Sequence, residues 1–101
     1  GIKVLQQALN LDYQAGLSVD GIWGPKSRQA LGSHYVRRGE RQYLVTAAEI
    51  LLMLKDYTVN GVESPGIFGS GLEQAVKSYQ KAQGLAVDGV ADSATFLSLI
   101  G

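Results

Sequence analysis

The chain has 101 residues, the length of one small domain with one modest core. Nine basic and nine acidic residues cancel, so the sequence lacks the basic excess that nucleic acid and anionic membranes select. The absence of cysteine excludes disulfides and thiolate chemistry, and the single histidine, His34, leaves no two-histidine metal site.

Helical periodicity predicts two helices in the first part of the chain. Helix one is predicted over about Ile2–Leu11, because apolar residues recur on one of its faces. After a glycine-containing loop, helix two is predicted to begin at Pro25, where the missing N–H costs nothing, and to run to about Tyr35. The charged stretch Arg37–Arg41 follows. Because Glu40 interrupts its arginines, we predict a solvated linker there.

Helix three is predicted to be the buried centre of the fold. It covers about Leu44–Lys55, with Thr46 and Glu49 at the spacing of a capping box. Its segment Ile50–Leu54 is apolar on every face, as expected for a helix surrounded by others. The same segment is the longest apolar run, and it is too short to cross a membrane.

Two more helices complete a predicted all-α fold, a compact bundle of about five short helices. Helix four begins with Ser70 and Glu73, again at capping-box spacing, and ends before Gly84. Helix five is predicted to run from a cap at Asp92 to about Ile100.

One unit, a glycine turn followed by a short helix, occurs three times in the sequence. At one constant offset, seven residues fall on identical residues further along the chain: Leu9, Gly16, Gly21, Ile22, Gly24, Gln29 and Ala30 on Leu54, Gly61, Gly66, Ile67, Gly69, Gln74 and Ala75. At a second offset, Leu17–Ile22 falls on Leu85–Val90. Two of the three turns are preceded by a further helix.

Three segments, Leu17–Pro25, Gly66–Gly69 and Gly84–Gly89, carry a resemblance to a known family. They resemble, in order, the motifs of the helical peptidoglycan-binding domain (type 1), a three-helix module attached to bacterial and phage enzymes that cut cell walls. By this resemblance, residues 42–101 form a complete three-helix unit. Residues 1–41 form a partial helix–loop–helix unit with its linker, and we expect the two to pack as one domain.

The middle turn departs from the other two. Ser64-Pro65 stands where the first and third turns have Val-Asp, so its aspartate is missing. Leu72 stands where the other units have Ser27 and Thr95. If the hydroxyl at this position makes a needed contact, the middle unit has lost that contact.

Side-chain chemistry and the resemblance suggest contacts to peptidoglycan. Trp23 and Phe68, at equivalent turns, would either stack on a sugar ring or plug the core. Arg28 suits a carboxylate and Asn60 an acetamido group, while Tyr57 fits either a contact or the core. Both aspartates of the Asp-Gly turns also have a purely structural explanation, since they shape the turn. The candidate residues are Asp20, Trp23, Arg28, Tyr57, Asn60, Phe68 and Asp88.

We predict no catalytic residue, metal or cofactor. Hydrolysis of the wall needs a metal with several ligands, a thiolate or a pair of carboxylates. Composition excludes the first two, and each acidic residue has a capping, turn or solvent explanation.

The resemblance therefore implies a non-catalytic module that binds cell-wall peptidoglycan and targets an attached hydrolase to it. The chain starts at Gly1 inside a helical pattern, so we expect a piece of a longer protein, such as a phage endolysin or an N-acetylmuramoyl-L-alanine amidase. Its expected location is the bacterial cell wall, outside the cell or reached by a phage lysin during lysis. We expect no nucleic-acid or membrane partner.

The alternative is a helical protein–protein interaction or dimerisation domain. The partial unit lacks its third helix, which leaves an apolar face open. Either helix three or a second copy of the chain, in a homodimer, would have to cover that face.

Overall fold

A computed structural model describes all 101 residues, and it confirms the predicted all-α fold of five short helices. A two-stranded sheet is the only other regular structure. No helix has the length and apolar character needed to cross a membrane. In chain order the elements are α1 (Ile2–Tyr13), α2 (Pro25–Leu31), β1 (Arg41–Gln42), α3 (Tyr43–Leu54), β2 (Gly66–Ile67), α4 (Ser70–Gln83) and α5 (Ser93–Ile100).

Helix α3 is the buried centre, as predicted. Its buried residues include Leu44, Val45, Leu51 and Leu52, and α1, α4 and α5 all pack against it. Helix α1 lies along α3, so α3 covers the apolar face of α1 within the same chain. One continuous cluster of buried apolar residues includes side chains from residues 1–41 and from residues 42–101.

The predicted capping box at the start of α3 is wrong. The helix begins at Tyr43, and the carboxylate that caps it belongs to Asp12 in the last turn of α1. Thr46 instead donates its hydroxyl hydrogen bond to the carbonyl oxygen of Glu63, at 2.6 Å. Glu49 is buried with 2% of its surface exposed. The local pattern misleads because the cap comes from a residue that is distant in sequence.

The end of α4 and the beginning of α5 agree with the prediction, whereas the capping of the beginning of α4 does not. Gly69, not Ser70, is the N-cap of α4, and no side chain caps this helix, so the predicted box with Glu73 is wrong. Gly84 ends α4 with a φ of 71°, as predicted. The predicted cap of α5 is confirmed, because Asp92 accepts a hydrogen bond from the third helical residue.

Helix α2 starts at Pro25 as predicted but ends at Leu31, earlier than expected. It ends because Gly32 has a φ of 48°, a left-handed backbone that stops the helix. The chain beyond it folds back on α1, where the rings of His34 and Tyr13 stack with centroids 3.6 Å apart.

The stretch Arg37–Arg41 is solvated, as the sequence predicts, but its backbone is not free. Gly39 and Glu40 exchange backbone hydrogen bonds with Phe68, each 2.9 Å long, and β1 then pairs antiparallel with β2. Gly66 in β2 approaches α3 so closely that a Cβ would lie 2.6 Å from the backbone nitrogen of Thr46. The charges remain in solvent while the backbone is held by the middle turn.

Candidate functional site

A buried glutamine of α1 organises the first glycine turn. The side-chain nitrogen of Gln6 donates to the carboxylate of Asp20, the carbonyl of Ile22 and the hydroxyl of Ser27, at 2.9–3.2 Å. Its oxygen accepts the N–H of Gly21. One side chain of which 1% is exposed therefore ties together α1, the turn and α2.

Gln80 of α4 makes the same hydrogen bonds to the third turn. Its nitrogen donates to the carboxylate of Asp88, the carbonyl of Val90 and the hydroxyl of Thr95, at 2.9–3.1 Å. Its oxygen accepts the N–H of Gly89 at 3.1 Å. In both turns the aspartate also accepts the N–H two residues ahead of it, at 2.9 Å. Both aspartates thus shape their turns, which is the structural explanation that the sequence offers for them.

The sequence reasoning missed both glutamines. The loop between helix and turn is longer in the first unit than in the third, so the offset that aligns the turns does not align Gln6 with Gln80. In the longer loop, Asn10 supplies an additional anchor by bonding the backbone N–H and carbonyl of Leu17. Aligning the helices separately from the turns would have revealed the pair.

The middle turn follows the same plan with different residues. Pro65 replaces the turn aspartate, but Glu63 reaches further and accepts the N–H of Ile67 at 3.0 Å. Beside it, Glu49 is the buried polar residue of the preceding helix, as Gln6 and Gln80 are for the other two turns. Leu72 replaces the hydroxyl residue and is buried. The middle turn therefore has two carboxyl groups and no amide side chain at its centre.

Burial and the neighbouring acid control the ionisation of these carboxyl groups. Burial, reinforced by the hydrogen bond and charge of Glu63, raises the pKa of Glu49 to about 8. The hydrogen bond from the N–H of Ile67, followed by that from Glu49, lowers the pKa of Glu63. At neutral pH one proton therefore lies on Glu49, facing an ionised Glu63. By the same logic, the N–H of Ile22 and then the side chain of Gln6 lower the pKa of Asp20.

A cavity of about 240 Å³ opens beside this carboxyl pair. We call it the middle cavity; its lining residues are Glu49, Asn60, Glu63, Ile67, Gly69, Ser70, Gly71 and Leu72. Asn60, a predicted contact residue, lies over the first turn of α4 so closely that any side chain on Gly71 would collide with its amide. Glu49 and Glu63 were not predicted as site residues, because Glu49 was assigned to a cap.

Trp23 and Arg28, two of the predicted contact residues, line one depression. We call this the first-turn groove; it has a volume of about 490 Å³ and is lined by Trp23, Gly24, Pro25, Arg28 and Gln29. Asp20 lines an adjoining depression that shares Gly24 and Pro25 with the groove. Trp23 is partly buried against the core, and its indole N–H has no partner in the protein. Arg28 is exposed.

The remaining predicted residues lie apart from the groove. Phe68 is only 1% exposed, so its ring is a core plug and offers no face to a ligand. Tyr57 is partly buried and meets Tyr79 edge to face, with ring centroids 5.6 Å apart. Asp88 belongs to the third turn. No group of three or more His, Cys, Asp or Glu side chains is placed to hold a metal ion.

Comparison with known proteins agrees with the family resemblance of the sequence motifs. The family model of the peptidoglycan binding domain matches residues 41–99, more than half of the chain. A peptidoglycan-binding protein from Clostridioides difficile, solved in complex with glutamine hydroxamate, is 38% identical with a TM-score of 0.58. The match covers 65% of this chain and 40% of that one, so this chain spans well under half of that protein's length.

A second similar structure is the N-terminal domain of SleB. It is 28% identical with a TM-score of 0.61, over 66% of this chain and 89% of that one. No curated protein matches the chain.

Proposed function

Because the chain belongs to the peptidoglycan-binding domain family, we propose that it is a non-catalytic module that holds an attached cell-wall hydrolase on its substrate. The observation that carries this proposal is the family match over residues 41–99. An amidase or a phage endolysin would be the attached enzyme, and the bacterial wall its place of action. Binding to a polymer that repeats its sites raises the effective concentration of the enzyme there, so modest affinity at each site suffices.

We place the primary contact at the first-turn groove. Trp23 contributes an aromatic surface suited to the apolar face of a sugar ring. Arg28 contributes a guanidinium that binds a carboxylate through two parallel hydrogen bonds. Peptidoglycan offers both partners, because its glycan strands carry sugar rings and its stem peptides carry carboxylates.

A sacculus pull-down tests the proposal. The purified 101-residue chain is mixed with isolated sacculi from several Gram-positive species, before and after stripping of their secondary polymers. We expect the protein in the pellet in both cases, which would place the ligand in peptidoglycan itself. Protein that stays in the supernatant with every wall would refute the proposal.

A dimerisation domain is the second candidate function. Met53 and Leu54, at the end of α3, are 50% and 64% exposed, and such apolar side chains suit a partner surface. Light scattering over a range of concentrations separates the candidates, since a dimerisation domain would gain mass with concentration and a wall-binding monomer would not.

A further inference from the structure

The middle cavity differs from the other two turn sites in a way that points to a ligand. In the first and third turns, a glutamine side-chain N–H fills the space beside the turn carboxylate. In the middle turn no glutamine bonds the turn carboxylate, and the cavity there is lined by Glu49 and Glu63. We infer that the middle cavity binds the head group of an amino acid, with a primary ammonium on the Glu49–Glu63 pair and the adjacent carboxylate or carbonyl at the start of α4. This inference deepens the proposed wall-binding function and rests on it.

The acceptor side of the cavity is unsatisfied. Glu49 is 98% buried, and its Oε1 has no hydrogen-bond partner. Glu63 receives the N–H of Ile67 and the hydrogen bond from Glu49, and since a carboxylate has about four acceptor positions, others stay free. Neither lysine nor arginine lines the cavity, so the pair, with its single proton at neutral pH, keeps one negative charge. An ammonium would supply the positive charge, replacing that proton and donating N–H groups to both carboxyl groups.

The opposite wall of the cavity is a donor surface. Ser70, Gly71 and Leu72 form the first turn of α4, and no side chain caps their backbone N–H groups. This helix has 14 residues, so its N-terminus carries a substantial positive partial charge. The amide of Asn60 lies over the same turn. A carboxylate or carbonyl would be stabilised here, in the same cavity as the ammonium site.

The two walls together select the ligand chemistry. An isolated ammonium would leave the helix N-terminus unused, and an isolated carboxylate would be repelled by Glu63. A group that carries both on neighbouring atoms satisfies both walls, and the cavity of about 240 Å³ is large enough for one such group. In the wall this chemistry is provided by unlinked amino groups that lie next to a carboxyl or carbonyl group; in solution it is provided by free amino acids.

The first experiment asks whether wall amino groups are recognised. Sacculi are divided, and one half is treated with acetic anhydride to acetylate the free amines. Because a charged hydrogen bond contributes about 1.5–3 kcal/mol, we expect binding of the unaltered chain to fall roughly 10- to 100-fold on the acetylated half. Glu49→Gln, which cannot release a proton to become a carboxylate when the ammonium binds, should bind both halves equally and weakly. The matched control Asp56→Asn alters an exposed acid outside the cavity and should behave like the unaltered chain.

The second experiment uses free ligands and does not depend on wall binding. Alanine is titrated into the ¹⁵N-labelled chain, with N-acetylalanine as the probe that lacks the ammonium. We expect alanine alone to shift the amide resonances of Ile67, Ser70 and Gly71, and we expect no such shift in Glu49→Gln or in Glu63→Gln. Thermal melts of both variants establish that they are folded.

The outcomes separate the two proposals. If the chain binds no sacculi but alanine shifts these amides, the amino-acid site stands and the wall-binding function falls. If the chain binds native and acetylated sacculi equally and alanine shifts nothing, the wall-binding function stands and this inference is overturned. If alanine shifts these amides but the chain binds native and acetylated sacculi equally, free amino acids are the source of the ligand.

Discussion

The carboxylate of Asp12 in α1 caps α3 by accepting the backbone N–H of Tyr43 at 2.8 Å, while its second oxygen accepts the next N–H at 2.7 Å. The cap joins α1 to the start of α3, the helix at the centre of the core. Both donors would otherwise lack an intrahelical partner, because the first N–H groups of a helix have none.

Replacing Asp12 with alanine should therefore destabilise the whole domain. A lost N-cap costs about 0.5–2 kcal/mol, and two hydrogen bonds are lost here, so we expect a loss near the upper end. Urea unfolding followed by circular dichroism measures the change. Asp12→Asn keeps one acceptor oxygen and should lose less. Unchanged stability in Asp12→Ala would mean that water replaces the cap without cost.

Because Gln6 and Gln80 make equivalent hydrogen bonds, Gln6→Ala and Gln80→Ala should lower the free energy of unfolding by similar amounts. Each substitution leaves a buried hydroxyl and turn N–H groups without partners, so each should lower the free energy of unfolding by about 2–4 kcal/mol. Gln7→Ala and Gln83→Ala, at exposed neighbouring positions, should change it by less than about 0.5 kcal/mol. A large difference between the two network variants would show that the turns are not energetically equivalent.

Local signals in the sequence were sufficient for the helices but not for their tertiary caps. Pro25, Gly84 and Asp92 act through their own backbone neighbourhood, so their roles could be predicted. Asp12 and Gln6 act on residues that are distant along the chain, and no local pattern marks them. The same limit explains why the backbone pairing of the charged stretch was missed.

Only part of the candidate site could be predicted, again because some of its residues meet partners that are distant along the chain. Aromatic and charged residues near the first turn were identified from their chemistry, and Trp23 and Arg28 do share a groove. The middle cavity was missed because Glu49 fits a capping pattern in sequence, and only the three-dimensional position of Glu63 reveals the pair. Phe68 is the opposite case, a predicted contact residue that is buried in the core. Its burial depends on packing that its position in the turn does not specify.

The Glu49–Glu63 pair predicts that stability falls as pH rises towards 8. An unfolded glutamate has a pKa of 4.5, whereas the folded pKa of Glu49 is about 8. Between these values the folded protein holds a proton that the unfolded chain has released, so the free energy of unfolding decreases by up to about 1.4 kcal/mol per pH unit. Above pH 8 both states are ionised and this decrease ends. The lowered pKa of Glu63 acts with the opposite sign and at more acidic pH.

Glu49→Gln isolates this effect, because glutamine has no proton to lose. We expect the variant to lose the slope between about pH 5 and 8 and to be more stable than the unaltered chain at pH 8. Urea unfolding across this pH range measures the slope, with Asp56→Asn as the control that should retain it. An identical slope in the unaltered chain and in Glu49→Gln would contradict the assignment of the proton to this pair.

The first-turn groove predicts which substitutions weaken wall binding. Trp23→Ala removes the aromatic surface and Arg28→Ala the guanidinium, and each loss of about 1.4 kcal/mol would reduce retention on sacculi roughly tenfold. Trp23→Phe keeps a ring and should retain most of the binding. Arg28→Lys keeps the charge but not the two-pronged geometry, so its binding should be intermediate.

Arg37→Ala is the control, because it removes an exposed arginine outside the groove and should have no effect. Because Trp23 also packs against the core, circular dichroism must establish that its variants are folded. Full retention of folded Trp23→Ala and Arg28→Ala would move the binding surface away from the first turn.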